Sequence, residues 1–143
     1  MSQRTNPLAP GAECGIDETM IRRLVHAFYA RVRVDTLLGP IFNAAIDDWE
    51  AHLDKLCAFW SSVALMTGRY KGTPMQAHAA LPDIDDEHFE RWLALFADTA
   101  REHCPPVAAT FFAGRAARIA QSLQMGIALH RGELISPLKG VAR

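Results

Sequence analysis

Apolar residues recur every three or four positions along most of this chain, which is the spacing of one face of an α-helix. The pattern predicts four long helices, which run from about Asp17 to Asp35, Trp49 to Met66, Asp85 to Cys104 and Val107 to His130. Aspartates stand at the start of the first three, where a short side-chain oxygen can accept a free first-turn N–H. No stretch shows the alternation typical of a strand. We therefore expect an all-α fold around one core.

Two further segments are too short for long helices. Residues 37–42 contain Gly39-Pro40, which favours a break, so we expect a tight 3₁₀-like corner there that fixes Phe42. Thr73-Pro74 suits the start of a short helix, because proline lacks the N–H that a first turn leaves unsatisfied. That helix should last barely a turn and a half, contain His78 and stop at Leu81-Pro82.

The 143 residues divide into an arm, one domain and a tail. Residues 1–15 carry two prolines and two glycines without a periodic pattern, which predicts a flexible arm. Residues 16–132 form the domain, and we expect residues 133–143 to be loose.

Composition narrows the class of protein. Half the residues are hydrophobic, which is ample for a buried core. The net charge is -1 and the basic residues are scattered, so we expect neither a nucleic-acid nor a membrane partner. No apolar run approaches the roughly 18 to 20 residues that span a bilayer. The N-terminus lacks a signal pattern and the three cysteines are widely spaced, which favours a reducing cytoplasm.

Two histidines in apolar settings are the first candidates for chemistry. A neutral imidazole is a good ligand for iron, zinc or copper. His78 lies in the short helix, which is too small to stabilise itself, and a bound metal would hold it. His52 shares a helix face with Leu56 and Phe59, where an unpaired polar ring costs free energy. Both remain open to a plainer explanation as core or capping histidines.

Three residues from different helices add hydrogen-bond donors to otherwise apolar faces: Tyr29, His52 and Trp92. Such convergence is what a polar ligand on a bound cofactor requires. Each residue taken alone has a plainer explanation. Tyr29 could place its hydroxyl at the surface, and Trp92 could be an ordinary residue of the hydrophobic core. The chain has no GxGxxG, P-loop, HExxH or GxSxG motif. The remaining histidines are expected at exposed helix ends or on the surface: His26, His88, His103 and His130.

Four segments, taken in this order and spacing, carry a family resemblance: HAFYARVRVDTLLGPIF (26–42), WEAHLDKLCAFW (49–60), YKGTPMQAHAALP (70–82) and FERWLALF (89–96). With them the chain resembles the truncated haemoglobins, and most closely their third group. The glycine pairs of the other truncated groups are absent, since only Gly68 and Gly72 flank the loop. That departure agrees with the third group.

The resemblance implies a globin-like two-over-two helical sandwich around haem b. It implies that His78 is the proximal iron ligand, that Phe42 stacks at the haem edge and that Leu56 lines the distal pocket. The haem propionates need cations or other hydrogen-bond donors, and Arg69, Lys71 and the hydroxyl of Tyr70 are near enough in sequence to be candidates.

The same resemblance implies a distal group made of Tyr29, His52 and Trp92, with Trp92 also against the cofactor. His52 either turns toward the ligand or binds iron as its sixth ligand, and the sequence leaves both open. We expect a diatomic gas at the iron: oxygen, nitric oxide or carbon monoxide. Nitric oxide dioxygenation or peroxide reduction, with a reductase as partner, is the expected chemistry. The alternatives are a non-enzymatic sensor or reservoir and, outside the family, an apo helical module in which His52 and His78 are core residues.

Overall fold

The computed structural model describes residues 9–71 and 84–130. Its helices are α1 Pro10–Glu13, α2 Glu18–Val34, α3 Leu38–Ala45, α4 Trp49–Leu65, α5 Asp86–His103 and α6 Pro106–His130. The four long helices begin and end within about one residue of the bounds that the apolar periodicity predicts. The predicted short helix with His78, residues 1–8 of the arm and the tail 133–143 lie outside the described residues.

Aspartate caps fix where three of the long helices start. Asp17 accepts the backbone N–H of Met20 at 2.9 Å, and Asp48 accepts that of Ala51 at 3.1 Å. Each carboxylate thereby satisfies one of the donors that a first helical turn leaves free. Asp85 does the same for α5 by accepting the N–H of Glu87 at 3.1 Å. The capping predicted from the sequence is confirmed at all three starts.

The segment after α2 is a full helix rather than a corner. Leu38–Ala45 is α-helical over eight residues, so the prediction of a 3₁₀-like turn at residues 37–42 is wrong. Pro40 falls in the first turn, where its missing N–H and fixed φ cost little, and it therefore helps to start a helix. Phe42 is nevertheless buried, as expected.

Part of the predicted arm also has defined structure. Within residues 9–15, Pro10–Glu13 form the short helix α1, which packs on α4. Gly11 permits this approach, because a Cβ at that position would lie 2.6 Å from the carbonyl oxygen of Ala64. The expectation of a flexible arm is therefore corrected for residues 9–15.

Two helix pairs enclose the core. α2 packs against α4, α5 packs along α6, and α2 also contacts α5. This is the two-over-two sandwich that the family resemblance implies, and the described residues contain no strand. A stack of rings lies at its centre, with Phe96 between Trp60 and Trp92 at centroid distances of 5.3 and 5.6 Å. None of the helices in the described ranges is both long and apolar enough to cross a membrane.

Candidate functional site

A cavity opens between the two helix pairs. Its volume is about 180 Å³. Sites for small molecules and cofactors usually combine an apolar lining with a few polar groups. The lining here has that character: Tyr29, Leu38, Phe42, His52, Lys55, Leu56, Phe59, Trp60, Tyr70, Ile84, His88, Phe89, Trp92, Ile119 and Leu123. The lining therefore suits a mostly apolar molecule that carries a few polar atoms.

Five of the six site residues that the sequence singles out lie along this cavity. They come from four helices: Tyr29 from α2, Phe42 from α3, His52 and Leu56 from α4, and Trp92 from α5. The sixth, His78, lies outside the described residues. The fold thus brings together the convergent donors that the helical periodicity predicted.

Tyr29 and Trp92 are joined directly. The indole N–H of Trp92 donates to the hydroxyl oxygen of Tyr29 at 3.4 Å, which is near the long limit for a hydrogen bond. Tyr29 is only 4% exposed. Burial raises its pKa to about 12, although the hydrogen bond from Trp92 acts in the opposite direction. The phenol therefore keeps its proton at neutral pH, and its O–H remains available to donate to a third group.

Aromatic packing holds Trp92 in this position. Its ring stacks on Phe96 with 6° between the planes, and it meets the edge of Phe28 at a centroid distance of 5.5 Å. Phe28 neighbours Tyr29 on α2 and also meets its ring edge-on, at 4.6 Å. Phe28 and Phe96 are both fully buried, so Tyr29 and Trp92 pack against side chains of the close-packed core.

His52 lies beside this pair at the start of α4. Its ring meets Tyr29 edge-on, with centroids 6.2 Å apart, and meets Trp49 edge-on at 5.7 Å. The side chain is half-buried. His52 is therefore a neighbour of the Tyr29 ring at the cavity wall, on the inward face that the spacing of α4 predicts.

Two histidines expected at exposed positions are partly or fully buried. His88 is buried and lines the cavity, where its Nδ1 accepts the backbone N–H of Asp85 at 3.1 Å in a capping box. The three-residue spacing from Asp85 is that of a capping box and was the signal available in the sequence. Nε2 of His26 is buried and has no hydrogen-bond partner among the described residues. Both expectations are corrected.

Cations near the cavity differ from those expected. Arg69 pairs with Glu18 at 2.7 Å, and the same carboxylate accepts the hydroxyl of Ser61 at 2.6 Å. Tyr70 does reach the cavity, where its ring packs edge-on against Phe59 at 5.3 Å. Among the described lining residues the cation is Lys55, on α4, which the sequence analysis did not single out.

Comparison with known proteins agrees with this geometry. Residues 12–109 match the model of the bacterial-like globin family. The chain is 41% identical over 88 residues to "Group 3 truncated hemoglobin ctb" of Campylobacter jejuni, a match that covers 59% of this chain and 69% of that protein. The crystal structure of the group III truncated hemoglobin from Campylobacter jejuni is similar with a TM-score of 0.74 and 36% identity, over 78% of this chain and 91% of that one.

The fold and these matches define a globin: the chain belongs to the bacterial-like globin family and is therefore a haem-binding protein. Within that family it is a truncated haemoglobin of group III. The family and the fold predicted from the sequence are both confirmed.

Proposed function

We propose that this globin binds haem b in the cavity and retains a diatomic ligand, oxygen in the first place, beside Tyr29 and Trp92. When bound, haem supplies an iron that takes such ligands and exchanges single electrons. The observation that carries the proposal is the 3.4 Å hydrogen bond between Trp92 and Tyr29 on the wall of a mostly apolar cavity.

The lining supports this choice of cofactor by its chemistry. Apolar side chains such as Phe42 and Leu56 offer contacts to a flat macrocycle, and both line the cavity. Lys55 offers a cation for a propionate carboxylate from the same wall. His78 is proposed as the proximal iron ligand on the family resemblance alone, since it lies outside the described residues.

Tyr29 is proposed as the main donor to the ligand. Its pKa of about 12 keeps the phenol protonated, so it acts as a donor across the physiological range. Because Trp92 donates to its oxygen, the phenolic O–H is free to turn into the cavity. Hydrogen bonds that share an atom in this way polarise each other, and a low-dielectric site strengthens them. A ligand that gains negative charge is therefore held longer.

His52 is proposed as the third distal group. Its ring stands 6.2 Å from that of Tyr29 and lines the same cavity. Two roles are compatible with this placement: His52 would donate to the ligand, or it would bind the iron when no gas is bound.

We further propose redox turnover rather than oxygen delivery, since strong retention opposes release. In nitric oxide dioxygenation, nitric oxide, oxygen and one electron give nitrate, so a reductase must return one electron per cycle. Peroxide reduction is the alternative redox reaction.

A cytoplasmic location suits the three free thiols, Cys14, Cys57 and Cys104.

A turnover assay separates catalysis from sensing or storage. The haem-loaded protein is mixed with oxygen, excess nitric oxide and a reductase with its reductant, and consumption of nitric oxide is followed. Many equivalents consumed per protein support the dioxygenase, whereas a single stoichiometric consumption supports a sensor or reservoir. Absence of a Soret band, with no change in melting temperature on adding haemin, would instead favour an apo helical module.

A further inference from the structure

An ion pair links the end of α2 to α5 close to the cavity. Nε and Nη2 of Arg91 donate to Oδ1 of Asp35 at 2.8 and 2.6 Å. The other carboxylate oxygen, Oδ2, accepts the backbone N–H groups of Leu37 and Leu38 at 3.1 and 3.0 Å. The side chain of Asp35 is only 3% exposed. Four hydrogen bonds therefore meet at one buried carboxylate.

These bonds connect three of the helices that line the cavity. Asp35 ends α2, which bears Tyr29, while Leu38 begins α3, which bears Phe42. Arg91 directly precedes Trp92 on α5. One carboxylate thus joins the α2–α3 junction to α5 at the residue next to Trp92.

The bond between Trp92 and Tyr29 has little tolerance for displacement. At 3.4 Å it is already longer than the usual 2.7–3.2 Å, so it is weak, and any further separation of α5 from α2 weakens it more. The Arg91 side chain is 48% exposed, whereas that of Asp35 is buried. Removing Arg91 would therefore leave a buried carboxylate with only the backbone N–H groups of Leu37 and Leu38 as donors.

The charge of Asp35 is maintained at neutral pH. The hydrogen bond from Arg91 lowers the pKa of this carboxyl, against the opposing effect of burial, and the two backbone N–H groups act in the same direction as Arg91. The carboxylate is thus ionised and able to hold all four donors under physiological conditions.

We propose that Asp35 and Arg91 are positioning residues that hold Trp92 in hydrogen-bonding distance of Tyr29. The geometric part of this inference stands independently; its consequence for ligand retention rests on the proposed function.

A second link between α2 and α5 supplies a matched control. Arg31 donates to the Thr99 hydroxyl at 3.0 Å and pairs with Glu102. Thr99 lies about two turns beyond Trp92 on α5, and neither Arg31 nor its partners line the cavity. Arg31→Gln therefore removes a charged link between the same two helices without touching residues next to the donor pair.

The test follows the indole N–H of Trp92 by NMR. The full-length, haem-loaded protein is labelled with ¹⁵N-tryptophan and saturated with carbon monoxide, and the resonance is assigned by its loss in Trp92→Phe. We expect Arg91→Gln and Asp35→Asn to shift this resonance and to speed its exchange with solvent. Arg91→Lys should restore it in part, and Arg31→Gln should leave it in place.

The outcomes separate the two claims. An unchanged Trp92 resonance in Arg91→Gln and Asp35→Asn overturns the positioning role, as does an equal shift in Arg31→Gln. Oxygen dissociation is then measured on the same variants, with a rise of roughly two- to tenfold expected from loss of one weak hydrogen bond. If the resonance moves but dissociation does not, positioning is supported and the proposed donor function is contradicted. Should Arg91→Gln fail to fold, Arg91→Lys and Asp35→Asn carry the same comparison.

Discussion

The indole nitrogen of Trp92 lies 3.4 Å from the hydroxyl oxygen of Tyr29 and joins α5 to α2 at the wall of the cavity. The two residues are 63 positions apart in the chain, so only the packing of the helices brings them together. The Trp92 ring packs against the buried rings of Phe28 and Phe96. A ligand in the cavity therefore meets donors that the folded core has already placed.

Tyr29 should titrate far above an ordinary tyrosine. We expect an ultraviolet titration of the folded protein to show one phenol ionising near pH 12, and that step to vanish in Tyr29→Phe. Because the folded pKa is raised above the ordinary value of 10.0, the related stability is complete below pH 10.0 and is lost as the pH rises toward about 12. Urea denaturation across that interval measures the loss, and an equal decline in Tyr29→Phe would show that another group causes it.

His78→Ala should lose haem or hold it weakly, because the variant lacks the side chain that we propose as the proximal ligand of the iron. Absorbance in the Soret region after purification, compared with total protein, gives the haem content. His103→Ala is the matched control, since His103 lies at the end of α5 and does not line the cavity. A variant at position 78 that keeps a normal five-coordinate ferrous spectrum contradicts the proximal assignment.

His52→Ala should keep haem but change the state of the sixth position. The ring stands edge-on to Tyr29 at the cavity wall, so its removal opens space and deletes a polar group there. Ferric absorption spectra recorded over a range of pH test this. Spectra that match the unsubstituted protein throughout would remove His52 from the distal group.

Most of the helical framework was predictable from the sequence. Apolar periodicity and the aspartate caps are local signals, and they placed α2, α4, α5 and α6 correctly. The corner at residues 37–42 was mispredicted because Gly39-Pro40 looks like a break, although Pro40 is harmless within the first turn of a helix. Tyr29, His52 and Trp92 were also predictable from helical spacing, because each lies on the face of its helix that carries the apolar residues.

Long-range polar contacts were not predictable in this way. Asp35 and Arg91 are 56 positions apart, and Glu18 and Arg69 are 51 apart. Which charge meets which depends on how α2 packs against the other elements, and helical spacing does not encode that. Arg69 was accordingly expected near a propionate, whereas its carboxylate partner lies on α2.

Two glycines should respond in opposite ways to alanine. A Cβ at Gly11 would lie 2.6 Å from the carbonyl oxygen of Ala64, so Gly11→Ala must push α1 away from α4 and should cost about 1–3 kcal/mol. Gly114 lies within α6 with open space around it, so Gly114→Ala should stabilise by about 0.5–1 kcal/mol. Chemical denaturation gives both values. Equal effects of the two substitutions would contradict the close packing of α1 on α4.

Oxygen dissociation from the haem-loaded protein tests the central claim most directly. If Tyr29 holds the ligand with support from Trp92, Tyr29→Phe should speed dissociation about tenfold, and Trp92→Phe should also speed it. The double variant should fall short of the product of the single effects, because the two side chains share one hydrogen bond. Arg31→Gln, which leaves the cavity intact, should keep the original rate. Fast dissociation in the unsubstituted protein, unchanged by either aromatic substitution, would contradict the account.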